Sequence, residues 1–286
     1  MTMLSHKEKL RLVKFVRKYE NPMGGFNFPQ ETPASIAEIY NGVTLLDELG
    51  FDCGNPLTKG YVRKLELRSD MPLEHLYRLA RVSEVLGMLE KTGEIRESVM
   101  GRKFRKSSKL TDAYYSVLLE EILDVSGVLT TDLLEHARTR KIKKLKFMPE
   151  CQKYLAVKIH VGLEVETDEA ISWIRATQSC DGGFGFLPGS SSFLENVYSA
   201  LDSLRMLDSV PLDIQGCEDF VLSCRSKEGA FGRQIMALPS LEHSLLAVRS
   251  LKIIDAMRVR AHSDGGKILG SGNEYGVSLR TRTSSK

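Results

Sequence analysis

At 286 residues, with 42% hydrophobic and 27% charged side chains, the chain has room for one large domain or two small ones and enough apolar content for a substantial core. No apolar run approaches the roughly 18 residues of a membrane span, which argues against an integral membrane protein. The net charge of +3 names no partner, but positive charge gathers in two runs, residues 102–109 and 138–146.

Residues 1–9 lack the apolar stretch and small-residue cleavage site of a signal peptide, so a cytoplasmic location is expected. A first unit follows: a short amphipathic helix, the turn Asn21-Pro22-Met23-Gly24-Gly25-Phe26-Asn27-Phe28, and a more apolar helix over 36–49 with Gly50 as its C-cap. Three helix pairs without this turn come next. Their first helices are predicted to begin near Thr58, Glu94 and Thr131, where Thr131-Asp132 supplies N-cap chemistry. Their second helices are predicted over 73–89, 112–123 and 150–163. The turn then returns twice. Gln178-Ser179-Cys180-Asp181-Gly182-Gly183-Phe184-Gly185-Phe186 leads into a helix over 197–207, and Ser226-Lys227-Glu228-Gly229-Ala230-Phe231-Gly232 into one over 244–254.

The phenylalanines set the period. Phe184 and Phe231 lie 47 residues apart, while Phe26 and Phe184 lie 158 apart, which fits four steps of about 40. The expectation is an all-α fold of about six helix pairs over residues 1–258. Beyond 258, Gly265-Gly266 and the basic end of the chain predict a flexible basic tail over 259–286. The five cysteines, Cys53, Cys151, Cys180, Cys217 and Cys224, are odd in number and widely spaced. They read as reduced thiols rather than a disulfide framework or cysteine-rich zinc module.

Stacked helix pairs make either an open solenoid or a closed ring. Here the turns favour the ring. The stretch from Gln178 to Phe184 resembles the Gln-x-x-Asp-Gly-Gly-aromatic turn of protein prenyltransferase β subunits and triterpene cyclases. In that turn glycines admit positive φ, the aromatic packs beneath, and the Asp braces the backbone. The resemblance implies an α/α toroid, with inner helices around an apolar cavity that holds an isoprenoid chain.

Class II cyclases protonate their substrate with an Asp-x-Asp-Asp motif. None occurs here, and 7% aromatic residues is low for carbocation stabilisation, so cyclisation is not expected. Protein prenyltransferases bind zinc through an Asp and a Cys at the start of one inner helix and a His at the start of the next. That overlay puts His243 at the His position. Matching Ser203-Leu204 to Ser250-Leu251 puts Leu194 and Asn196 at the Asp and Cys positions. Leucine cannot bind zinc and asparagine is a poor ligand. No cofactor is therefore expected, and His243 is the remaining metal candidate unless local hydrogen bonds alone account for it.

A second stretch, Lys106-Ser107-Ser108-Lys109-Leu110-Thr111-Asp112-Ala113-Tyr114-Tyr115-Ser116, resembles the family's diphosphate-and-zinc segment. The overlay implies diphosphate contacts from Lys106, Lys109 and Tyr115, with Lys143 and Lys144 of the next basic run beside them. It puts Asp112 at a metal position and Tyr114 where the family has Cys. Asp112 and Tyr115 are then the candidate catalytic residues. The expected function is a divergent prenyltransferase-like toroid that binds an isoprenoid diphosphate or other lipid in its cavity, without an intact zinc site. Two alternatives stay open: a non-catalytic scaffold docking a protein partner through basic loops, and an active transferase with an unrecognised zinc site. No nucleic-acid partner is expected, since no binding motif occurs.

Overall fold

The computed structural model describes residues 4–27, 32–101, 110–125 and 147–264. Among these residues there are eleven helices and no strand beyond single bridge pairs. They are α1 (His6–Arg17), α2 (Ile36–Leu49), α3 (Pro56–Lys64), α4 (Leu73–Val85), α5 (Leu89–Met100), α6 (Leu110–Leu123), α7 (Met148–His160), α8 (Thr167–Ala176), α9 (Leu194–Met206), α10 (Ile214–Ser223) and α11 (Leu241–Asp264). None is long and apolar enough to cross a membrane.

Two kinds of helix alternate. α1, α3, α5, α8 and α10 bury a single stripe, such as Leu12, Phe15 and Val16 in α1 or Ala170 and Ile174 in α8. One apolar stripe suits a helix with solvent on its other side. The alternate helices are buried on more of their circumference: nine of 14 residues in α2 and eight of 13 in α9. These inner helices pack in one cycle, α2 on α4, α4 on α6, α6 on α7, α7 on α9, α9 on α11, and α11 back on α2. The ring is closed.

The Gly-Phe turns explain how. In each, one antiparallel bridge pairs the residue before the turn with its phenylalanine: Glu20 with Phe26, Gln178 with Phe184, Arg225 with Phe231. All three rings are essentially fully buried. The glycine two residues before each aromatic then docks on the outer helix that follows round the ring. A Cβ on Gly24 would lie 2.2 Å from the Leu57 carbonyl oxygen in α3, and one on Gly182 would lie 2.1 Å from that of Gly216 in α10. Only glycine fits a backbone at that range, and φ values of +98° and +82° demand it independently. The sixth turn has no later unit. Gly229 instead rests on Arg11 of α1, where a Cβ would be 3.0 Å from the Arg11 Cβ.

Side chains follow the same rule. Gln178 exchanges two hydrogen bonds with the Asp213 backbone that caps α10, at 2.8 and 3.1 Å. At the matching place in the sixth turn, Arg225 pairs with Glu8 of α1. Asp181 braces its own turn, accepting from the Gly183 N–H at 3.0 Å and the Ser192 hydroxyl at 2.8 Å.

Several predicted boundaries shift. α4 ends at Val85 rather than 89, because Gly87 adopts φ +66°, and Leu89 opens α5 instead of closing α4. α7 ends at His160, ahead of Gly162 at φ +67°. α11 continues past 258 to Asp264: Ile254 and Met257 extend its buried stripe, and Arg258 pairs with the buried Glu218 of α10 at 2.5 Å. The predicted helix near Thr131 and the tail from 265 onward lie outside the described residues.

Candidate functional site

The six inner helices enclose a central cavity of about 580 Å³. Its wall is built in register. Tyr40, Tyr77 and Tyr114 are spaced 37 residues apart, fall at the same level of α2, α4 and α6, and all face the cavity. Tyr198 of α9 joins them, and Tyr115 follows Tyr114. The rings form a chain: Tyr40 to Tyr77 at 6.1 Å between centroids, Tyr77 to Tyr115 at 5.7 Å, and Tyr115 to Tyr114 at 5.2 Å. Such separations suit tilted and edge-to-face aromatic pairs.

Burial keeps these phenols protonated. Desolvation is the largest cause in each case, pushing Tyr198 up to about 12 and Tyr77, Tyr114 and Tyr115 above the ordinary tyrosine range. Tyr77, Tyr114, Tyr115 and Tyr198 therefore keep neutral O–H groups at any physiological pH.

Cations are set among the rings. Arg249 of α11 donates to the Tyr40 hydroxyl at 3.2 Å and to Glu48 at 3.1 Å. Burial opposes its charge, but Tyr40, Tyr198 and Glu48 outweigh that effect and raise its pKa. Arg78 bonds Glu74 at 2.6 Å and sits 5.9 Å from the Tyr40 ring centre. Arg205 is tied to Asp202 at 2.6 Å, whose other oxygen accepts from Gln152 at 2.7 Å.

Lys153 of α7 differs. It reaches the Thr111 hydroxyl at 3.2 Å and lies 6.0 Å from the Tyr115 ring centre, with no carboxylate at ion-pair distance among the described residues. Burial lowers its pKa, against the opposing pull of Glu74 and Glu150.

Of the residues singled out from sequence, Tyr115 lines this cavity. Asp112 is in the first turn of the same helix but not in the wall, and its carbonyl accepts from the Ser116 hydroxyl at 2.9 Å. Lys106, Lys109, Lys143 and Lys144 lie outside the described residues. His243 lies in the first turn of α11, with Nδ1 2.7 Å from the Ser240 hydroxyl and Nε2 3.9 Å from the Glu195 carboxylate. Burial lowers its pKa despite Glu242 and Glu195, so the ring is neutral near pH 7.

Leu194 and Asn196 are fully buried, and the Asn196 amide has no hydrogen-bond partner among the described residues. The residue that α9 presents to His243 is the one between them, Glu195, which also bonds Arg233 at 2.6 Å. No group of three or more metal-ligating side chains occurs among the described residues. The wall also differs from the apolar lining that the sequence resemblance implies: tyrosine hydroxyls, arginines and lysines occupy its inward positions.

The 37-residue tyrosine spacing was available in the sequence and would have found the belt. Lys153 and Arg249 carry no such signal, because no other inner helix puts a residue of the same type into the cavity wall at their level.

A family model, the prenyltransferase alpha-alpha toroid domain, matches residues 1–75 and 103–268. Among solved structures, the chain is similar to Candida albicans protein geranylgeranyltransferase-I complexed with GGPP. That match has 12% identity, covers 90% of this chain and 80% of that one, and has a TM-score of 0.36. No curated protein sequence matches the chain.

Proposed function

The chain belongs to the prenyltransferase alpha-alpha toroid family, and on that premise we propose that its central cavity binds an amphiphilic anion of the isoprenyl diphosphate class. The observation that carries this reading is Lys153, a partly desolvated ammonium without an ion-pair partner among the described residues, held beside the Tyr115 ring in the central cavity. A bound diphosphate would supply the missing charge. Tyr115 and Tyr77 line the same cavity with neutral hydroxyls, the first hydrogen-bonded to Glu74 and the second to Tyr40, and Arg78 brings a second cation from α4 that Glu74 already pairs. Charge-assisted hydrogen bonds of this kind are the strong ones, and they gain strength away from water. The tyrosine rings present apolar faces to the hydrocarbon part of the ligand. A volume of about 580 Å³ falls within the roughly 300–1,000 Å³ of small-molecule sites.

No zinc enters this reading. A catalytic zinc site takes three protein ligands. Leu194 and Asn196 contribute none, while Glu195 and His243 make two, with the carboxylate already held by Arg233. What Lys153 does for a diphosphate in this reading is bind it through a charge-assisted contact.

Calorimetric titration of the full chain with geranyl and farnesyl diphosphate tests the proposal. Lys153→Ala removes one charge-assisted contact, roughly 1.5–3 kcal/mol, which corresponds to a Kd weaker by about ten- to a hundredfold. Absence of binding, or a Lys153→Ala protein that binds as wild type, overturns it. Stoichiometric zinc in metal analysis of the purified protein overturns the metal-free part.

A further inference from the structure

The fifth and sixth units contain an internal control. After each Gly-Phe turn the chain makes a second tight loop before entering its inner helix. The two loops share their backbone bonds: Ser190 N–H to Leu187 carbonyl and Ala237 N–H to Gln234 carbonyl, both 3.1 Å, then Phe193 N–H to Phe184 carbonyl at 3.2 Å and Ser240 N–H to Phe231 carbonyl at 3.1 Å. Both need a left-handed residue at the same place. In the fifth unit that residue is Gly189, at φ +78°; in the sixth it is Met236, at φ +62°. The fifth loop reads Pro188-Gly189-Ser190-Ser191, whereas the sixth reads Ile235-Met236-Ala237-Leu238.

The turn itself does not use these apolar side chains. Ile235, Met236 and Leu238 are 53%, 97% and 90% exposed, and a non-glycine residue at positive φ is strained. Strain retained together with exposed aliphatics points to contact outside the chain. The loop also continues into a strip along the same rim. Arg233 stacks 3.9 Å from the Phe193 ring centre, Phe193 lies 5.8 Å from Phe186, and Phe186 lies 6.0 Å from the half-exposed Phe147.

We propose that this loop is a membrane anchor: Ile235, Met236 and Leu238 insert into the interfacial layer of an anionic bilayer, with the strip from Arg233 to Phe147 lying along its surface. Two observations choose lipid over a protein partner. The tip holds only aliphatic side chains, whereas the anchors of protein interfaces are mostly Trp, Tyr and Arg. The sequence that leads into Phe147 is also one-sided in charge. Residues 138–146 contain six Lys or Arg and no acid, and Lys146, Lys144 and Lys143 are one, three and four residues from Phe147. Apolar insertion combined with basic charge is the chemistry of anionic-membrane attachment. The proposal does not depend on what the central cavity binds.

The test is co-sedimentation of the full chain with phosphatidylcholine vesicles, with and without phosphatidylserine. Wild type is expected to pellet with the anionic vesicles and to be released by salt. Grafting the sister loop (Ile235→Pro, Met236→Gly, Ala237→Ser, Leu238→Ser) should weaken binding at least tenfold without lowering Tm. The pair Met236→Gly with Leu238→Ser serves as a milder version should the graft fail to fold. Wild type remaining in the supernatant with both vesicle types overturns the proposal, as does a folded variant that binds like wild type. It is also overturned if light scattering shows a dimer that the variant abolishes, because a second copy would then cover the loop.

Discussion

The docking of each turn on the next outer helix makes a quantitative claim about Gly182. Replacing it with alanine imposes two costs. At φ +82° a Cβ costs about 1–2 kcal/mol in the left-handed region. That Cβ would also lie 2.1 Å from the Gly216 carbonyl oxygen, more than an ångström inside contact with backbone that cannot rotate away. Forcing a methyl into packed structure costs a further ~1–3 kcal/mol. Gly50 supplies the control: it has φ +78°, but a Cβ there meets nothing within 4 Å, so Gly50→Ala bears only the first cost. An unfolding entropy of roughly 2.1 cal/mol/K per residue makes each 1 kcal/mol worth about 2 °C in a chain of this length. Gly182→Ala should therefore lower Tm by about 4–10 °C and Gly50→Ala by about 2–4 °C. Scanning calorimetry on both proteins at one pH and scan rate measures the difference. If Gly182→Ala loses no more than Gly50→Ala, the turn does not carry the contact between units 5 and 6, and the closure argument falls with it.

Two further expectations concern pH. His160 sits between Glu120 and Glu121, whose hydrogen bonds raise its pKa to about 9 from an ordinary value near 6.5. Its contribution to stability is complete below pH 6.5 and is lost as pH rises through about 9, so denaturant midpoints of His160→Gln should fall below wild type at pH 6 and converge with it above pH 9. Equal gaps at both values would rule the link out. Glu8 behaves in the opposite sense: hydrogen bonds from Ser5 and Arg225 lower it from 4.5 to about 2, so its contribution is present above pH 4.5 and lost as pH falls through 2. Because that pair joins the sixth unit to the first, Glu8→Gln should narrow the stability lost on acidification. An unchanged acid profile would show that the pair is solvent-screened and idle in closing the ring.

Much of the fold was legible because the repeat writes itself into unusual residue types. A buried phenylalanine behind glycines at positive φ is a rare local combination, and three copies fix both the unit and its hand-over to the next helix. The boundaries were less legible. Gly87 and Gly162 end α4 and α7, but an isolated glycine inside an apolar pattern also occurs within helices, so position alone did not reveal the stop. The continuation of α11 rests on Arg258 meeting a buried Glu218 on another element, which no local window contains.

The site was harder to read because a helix turns by about 100° per residue, and an error of one position redirects the chemistry. The family overlay puts Leu194 and Asn196 at the metal positions of α9, yet both are buried in helix contacts, while Glu195, Tyr198, Ser199 and Asp202 face the cavity. Glu242 and Arg249 face it from α11, 47 residues after Glu195 and Asp202, so the repeat period that located the turns also fixes which side of each inner helix looks inward. Once that face is fixed, the departure from an apolar tunnel follows directly. Inward positions filled by tyrosine, arginine, lysine and glutamate can form a stable wall only where their polar tips bond one another or a ligand. The pairs Arg249–Glu48, Arg78–Glu74 and Arg205–Asp202 satisfy most of the wall from within. Lys153 is the lining cation that no carboxylate satisfies among the described residues, which is why the proposed function seats a ligand's anionic end beside it and Tyr115.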